Sequence, residues 1–144
     1  MKTTLSIALL SCLLSAGSVQ ITNAQSKTNT ALTRPLPGDV DAKQAASALQ
    51  TQRDMVVLDV RTPDEYKNGH LTNAININLY DPNFKSKLAR LDKSKTYVVH
   101  SAAGLENGRS RKATAAMDSL GFKQIKHLNG GFNAWQQANL PVIK

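Results

Sequence analysis

Apolar and polar positions along the chain change rhythm several times, and each rhythm predicts an element. Asp41 stands where a helix cap belongs, and Ala42, Ala45, Ala46 and Leu49 follow at i, i+3, i+4 and i+7, which predicts an amphipathic helix. Met55-Val-Val-Leu-Asp-Val60 is a continuous apolar run, as expected of a strand buried on both faces. Thr62-Pro63-Asp64-Glu65 combines a cap residue, a proline at the first helical position and a glutamate that closes a capping box. Gly69 limits that helix to about two turns. Ala74 to Leu79 alternates and predicts a strand. Phe84, Leu88 and Leu91 predict a helix after the Asp81-Pro82 turn, and Tyr97 to Ser101 a third strand. Ala113, Ala116, Met117 and Leu120 share one face of a helix that begins near Ser110 and stops at Gly121. Gln124 to Leu128 reads as a last strand, Asn129 to Gly131 as a turn, and Phe132 with Trp135 open a closing helix. Strands separated by helices of this length predict an α/β fold: a mostly parallel sheet of about five strands, covered by helices on both faces.

The first residues follow neither rhythm. Lys2 precedes the apolar run Leu5–Leu14, and the segment then turns small and polar up to Ala24. This is the layout of a secretory signal peptide cut after Ala24, too short in its apolar core for a membrane span. Anchoring as a lipoprotein through Cys12 is the less favoured alternative, because Leu13 and Leu14 continue the apolar run past the cysteine. Residues 25–38 are polar, end in Pro-Leu-Pro-Gly, and read as a linker before a domain over 39–144.

Composition narrows the function. The 144 residues carry 18 Lys and Arg against 10 Asp and Glu, and loss of residues 1–24 removes one lysine from the formal +8. The basic residues are spread along the chain, so no nucleic-acid partner is expected. Cys12 is the one cysteine, so the exported chain has no thiol, which suits a bacterial periplasm. Three scattered histidines without cysteine partners predict neither a metal site nor another cofactor. A monomer with no stable membrane insertion is expected.

In an open parallel sheet the ligand site lies at the carboxyl ends of the strands. The informative junction here is Ser101, Ala102, Ala103, Gly104, Leu105, Glu106, Asn107, Gly108, Arg109 and Ser110. Two glycines let backbone N–H groups converge, the following helix adds the positive end of its dipole, and Arg109 brings bidentate reach. Together they predict a cradle for a small oxyanion.

The motifs resemble the rhodanese-like family over residues 36–144. One signature is Asp59-Val-Arg61 through Glu65-Tyr66, followed by Gly69-His70-Leu71 and Ala74-Ile75-Asn76; another is Gly121-Phe122 with Gly130-Gly131 and Trp135; the third is the loop closing on Arg109-Ser110. The resemblance implies a three-layer fold and sulfurtransferase ancestry, of the small single-domain periplasmic kind. It also implies that active members carry a cysteine where this chain has Ser101. A serine hydroxyl stays protonated near neutral pH and forms no persulfide, so transfer of sulfane sulfur is expected to be lost. The loop departs too: family loops run Cys-x4-Arg and the related phosphatase type Cys-x5-Arg, whereas Ser101 and Arg109 are separated by seven residues, Glu106 among them.

Other residues have plainer expectations. Asp59 with Arg61 reads as an ion pair fixing the strand-to-helix turn, His70 as a structural hydrogen bonder, Phe132 and Trp135 as core, and Glu106 as a solvated charge. Serine-hydrolase or phosphatase chemistry at Ser101 would need a general base. His100, adjacent in the strand, points to the opposite face, and the distance of His127 is set by tertiary structure. The favoured reading is an exported module that binds a small oxyanion or a protein partner without sulfur transfer. The alternatives are an active sulfurtransferase in which Ser101 is a non-native replacement, and a purely structural interaction domain.

Overall fold

The structure, a computed structural model, describes residues 38–144; the signal-peptide and linker readings fall on residues 1–38, outside the described residues apart from Gly38. The elements run β1 (Asp39–Val40), α1 (Ala42–Thr51), β2 (Met55–Asp59), α2 (Pro63–Lys67), β3 (His70–Leu71), β4 (Ile75–Asn76), α3 (Phe84–Ala89), β5 (Thr96–His100), α4 (Arg109–Ser119), β6 (Ile125–Leu128), α5 (Gly131–Gln137) and β7 (Val142–Ile143). Five strands form one sheet in the order β1-β6-β5-β2-β4. Every neighbouring pair in it is parallel. This is the predicted α/β class, with the crossover helices on both faces.

Strand alternation sorts the core into two layers. Val57, Val98 and Leu128 face α1 and α5, where they pack with Ala45, Leu71, Phe132 and Trp135. Their neighbours Leu58 and Val99 face α3 and α4, and join Phe84, Leu88, Ala113, Met117 and Phe122. Burying each of these large side chains contributes about 1.5–3 kcal/mol, so the sheet is held from both sides. Phe132 and Trp135 are core residues, as expected.

The two predicted helix starts are closed as capping boxes. Asp41 accepts from the Gln44 N–H at 2.8 Å while the Gln44 side chain accepts from the Asp41 N–H at 3.1 Å. Thr62 and Glu65 repeat the arrangement at α2.

Three features differ from the sequence reading. The strand expected over 74–79 shrinks to Ile75–Asn76, because the Asn76 side chain donates to the Asp59 and Arg61 carbonyls and takes over part of the ladder. Ile77 and Leu79 still donate to the Asp59 and Val60 carbonyls at 3.0 and 3.2 Å, so the segment stays docked. Asp39–Val40 forms the edge strand β1, and β3 with β7 forms a separate antiparallel pair. These are two-residue strands, too short to show a period.

Candidate functional site

β5 delivers the chain to the carboxyl end of the sheet at His100, and the loop from Ser101 leads into α4. Gly131 sits directly against this turn. With φ of +55°, a Cβ there would lie 2.3 Å from the Ser101 carbonyl oxygen. Its absence lets the start of α5 approach, so that the Phe132 and Asn133 N–H groups donate to the Ser101 and Ala102 carbonyls at 2.8 and 2.9 Å. Gly104 approaches the same turn from the loop side: a Cβ there would meet the Leu128 carbonyl and the Gly130 and Gly131 nitrogens at 2.6–2.7 Å. The glycines of the two motifs therefore clamp the loop onto the β6–α5 turn.

Around this clamp the predicted site residues separate into groups. Asp59 and Arg61 form the expected buried pair, with Arg61 Nη2 2.6 Å from Asp59 Oδ2. Arg61 also donates to the Gly69 carbonyl at 2.8 Å and lies 4.0 Å over the Phe132 ring. His70 stacks on Tyr66, with its Nδ1 3.1 Å from the Tyr66 carbonyl oxygen. Trp135 Nε1 donates to the Pro141 carbonyl at 2.9 Å. All of these hold the fold around the site.

Arg109 is placed differently from the sequence expectation. Its guanidinium donates to both oxygens of Glu65, at 2.6 and 2.7 Å, so its bidentate face is already occupied. The Arg109 hydrogen bonds, reinforced by those from Thr62, hold the Glu65 carboxyl down at about 2. The reason is local: the capping box of α2 aims Glu65 at the start of α4. Glu106 points away from the loop interior and pairs with Arg111 at 3.1 Å while staying largely exposed. Gly108 caps α4 without a side-chain hydrogen bond, so no side chain at the cap satisfies the first-turn N–H groups. Leu105 in the loop and Tyr80 after β4 are exposed.

Ser101 itself is 3% exposed and turned inward. Its Oγ lies 3.1 Å from Ser110 Oγ, and Ser110 Oγ lies 2.9 Å from His127 Nε2. Beyond it, His127 Nδ1 faces Asp39 Oδ1 at 3.5 Å, and Asp39 is held by Arg111 at 2.6 Å. Burial, then the Arg111 charge, pushes the His127 imidazole below its ordinary value of 6.5. The Arg111 hydrogen bond holds the Asp39 carboxyl low. Sequence reasoning missed Asp39 altogether and left His127 unplaced. The available signal was parity: Asp39 pairs with His127 and His127 with Val99, which puts them on the same sheet face as Ser101. His100 points to the other face, as expected, with its Nε2 3.6 Å from Asp59 Oδ2. Burial pushes its imidazole down.

Comparisons with known proteins agree with this architecture. The family description "Rhodanese-like domain" matches residues 41–138. The chain is 30% identical over 128 residues to "Rhodanese-like domain-containing protein 17" of Arabidopsis thaliana, covering 81% of this chain and 79% of the relative. It is 31% identical over 112 residues to "Thiosulfate sulfurtransferase 18" of the same plant, covering 72% and 81%. Among solved structures, the rhodanese-related protein of Thermoplasma volcanium matches with a TM-score of 0.64 at 29% identity, over 74% of this chain and 98% of that one. The parallel five-stranded sheet with its helices places the chain in the α/β class of these solved structures. The chain belongs to the rhodanese-like family.

Proposed function

We propose that this is an exported rhodanese-like module that does not carry sulfur and works by binding at the loop between β5 and α4. The reading rests on Ser101, which follows β5 where the family resemblance implies a sulfur-carrying cysteine; residues 25–144 contain no thiol to replace it. A thiolate attacks sulfane sulfur and stores it as a persulfide, whereas an alcohol does neither. The ligand in this reading is a small oxyanion received by the first-turn N–H groups at the start of α4, with Arg109 kept by Glu65. A protein partner is the second reading, favoured by the exposed Leu105 and Tyr80.

The test is thiocyanate formation from thiosulfate and cyanide by the purified chain, beside Ser101→Cys. No turnover above background is expected for the natural chain, and turnover there overturns the reading. Turnover by Ser101→Cys alone supports an intact oxyanion cradle. Silence in both, together with no thermal stabilisation by thiosulfate or sulfate, favours the protein partner.

A further inference from the structure

Binding makes no use of the polar chain beneath the loop. Ser101, Ser110 and His127 are all nearly inaccessible to solvent, yet each has a polar neighbour along one line that ends at Asp39. Three buried polar groups in series carry a desolvation cost, and their order gives the line a direction. His127 Nδ1 and Asp39 Oδ1 are buried and face each other at 3.5 Å, with the Asn129 side chain also near the imidazole. A proton on Nδ1 directed at the carboxylate leaves the Nε2 lone pair for Ser110. In that tautomer Ser110, 2.9 Å from Nε2 and 3.1 Å from Ser101 Oγ, can donate to Nε2 and accept from Ser101. In that arrangement the Ser101 hydroxyl is the donor of its 3.1 Å contact with Ser110.

We propose that Ser101 is an acyl-accepting nucleophile, activated through Ser110 by His127, and that the domain hydrolyses small uncharged carboxylic esters. In the first step Ser101 Oγ bonds to the ester carbonyl carbon. Its proton passes to Ser110 Oγ as the Ser110 proton passes to His127 Nε2, and Asp39 faces the imidazolium. The carbonyl oxygen becomes an oxyanion at the first-turn N–H groups of α4, so the proposal rests on the oxyanion cradle of the binding reading. The carbon–oxygen bond to the alcohol then breaks, and the proton returns along the same line to the departing oxygen. Water attacks the acyl-serine, the Oγ–carbon bond breaks, and the carboxylic acid leaves. The sum is ester plus water giving alcohol plus acid, with no other reactant.

Charge selects the substrate class. Arg109 is paired with Glu65, and Arg111 with Asp39 and Glu106, so neither guanidinium selects a charged substrate over a neutral one. The exposed groups are apolar, Leu105 and Tyr80, and the loop over Ser101 is half-buried Ala102, Ala103 and Gly104. On the other side, a surface cleft of about 290 Å³ lined by Gly38, Arg111, Thr114, Asp118 and His127 gives the end of the line access to solvent protons. The charged groups facing His127 are Asp39 from β1, Arg111 from α4 and Glu106 from the loop, with Asp118 further along α4.

The experiment is a pre-steady-state assay of the purified chain with p-nitrophenyl acetate, followed by peptide mass mapping. A stoichiometric burst of p-nitrophenolate and an acetyl group on Ser101 are expected. The burst is lost in Ser101→Ala, and it slows by about a hundredfold in His127→Gln and in Ser110→Ala, which removes a single oxygen and keeps the fold. The burst rate rises with pH as His127 loses its proton. In Asp39→Asn the midpoint of that rise moves to lower pH, because the carboxylate that favours the imidazolium is gone, a change that a packing role would not produce. No burst, a burst that survives Ser101→Ala, or a rate indifferent to Ser110→Ala overturns the proposal. Sulfate stabilisation and thiocyanate turnover are read on the same preparations. A failed relay therefore stays distinct from a failed binding reading.

Discussion

Glu65 and Arg109 meet through two hydrogen bonds of 2.6 and 2.7 Å, although they stand 44 positions apart in sequence. The pair ties the capped turn after β2 to the first residue of α4. It links the two halves of the sheet end and satisfies the cation that the loop would otherwise offer a ligand. The carboxylate also serves the α2 capping box through Thr62.

Glu65→Gln tests that double role. The neutral amide loses the ion pair, and the side chain is about one-third exposed, so solvent screening limits the cost to about 1 kcal/mol. Urea unfolding at pH 7 checks the loss. The freed Arg109 is expected to increase stabilisation by sulfate over that of the natural chain, read as the shift in melting temperature.

Acid sensitivity follows from the same carboxyl. Its value is held at about 2 in the folded chain against an ordinary 4.5, so the unfolded chain binds the proton more readily between those limits. The stabilisation is fully present above about pH 4.5 and is lost as pH falls towards 2. Glu65→Gln is expected to flatten that part of the stability profile.

The buried histidines act at higher pH. His100 and His127 both have imidazoles pushed below 6.5 by burial. The unfolded chain therefore takes up protons first, and stability falls as pH drops below 6.5. Imidazole proton resonances of both residues, followed by NMR, are expected to stay in the neutral form at pH 6.5. Half-titration there or above would contradict the assignment.

Arg61→Leu removes the partner of a carboxylate that has no solvent exposure. Asp59 would be left buried and uncompensated, at a cost of about 3–5 kcal/mol. Denaturant unfolding reads the loss, and the double variant with Asp59→Asn is expected to recover part of it, since the stranded charge is then absent.

Gly131→Ala introduces a Cβ 2.3 Å from the Ser101 carbonyl oxygen at a left-handed backbone position. The clash is with backbone, which no side-chain rotation relieves. A loss of about 2 kcal/mol or more is expected in equilibrium unfolding, with lost protection of the Phe132 and Asn133 amides in hydrogen exchange.

Local chemistry made much of the fold legible in the sequence. The capping boxes at Asp41 and Thr62, the apolar run of β2 and the helix face of Ala113 and Met117 depend on neighbours within one or two turns, so composition and spacing express them directly. The expected Asp59–Arg61 pair is two residues apart and was readable for the same reason. The two-residue strands β1, β3 and β7 lack a period, and their pairing depends on partners distant in sequence.

The site shows the same division. Ser101, the loop and its glycines were evident from residue types and order. That Arg109 answers to Glu65, and that Ser110, His127 and Asp39 line up beneath Ser101, was decided by the parallel register β1-β6-β5 and by the helix laid across it. Strand parity assigns each side chain to a face. Only the packing of α4 onto that face brings a serine within 3.1 Å of Ser101 and 2.9 Å of His127. Hydrogen bonds are short-range, so sequence by itself determined which groups this protein carries and which local turns they favour, whereas tertiary structure decided which of them touch.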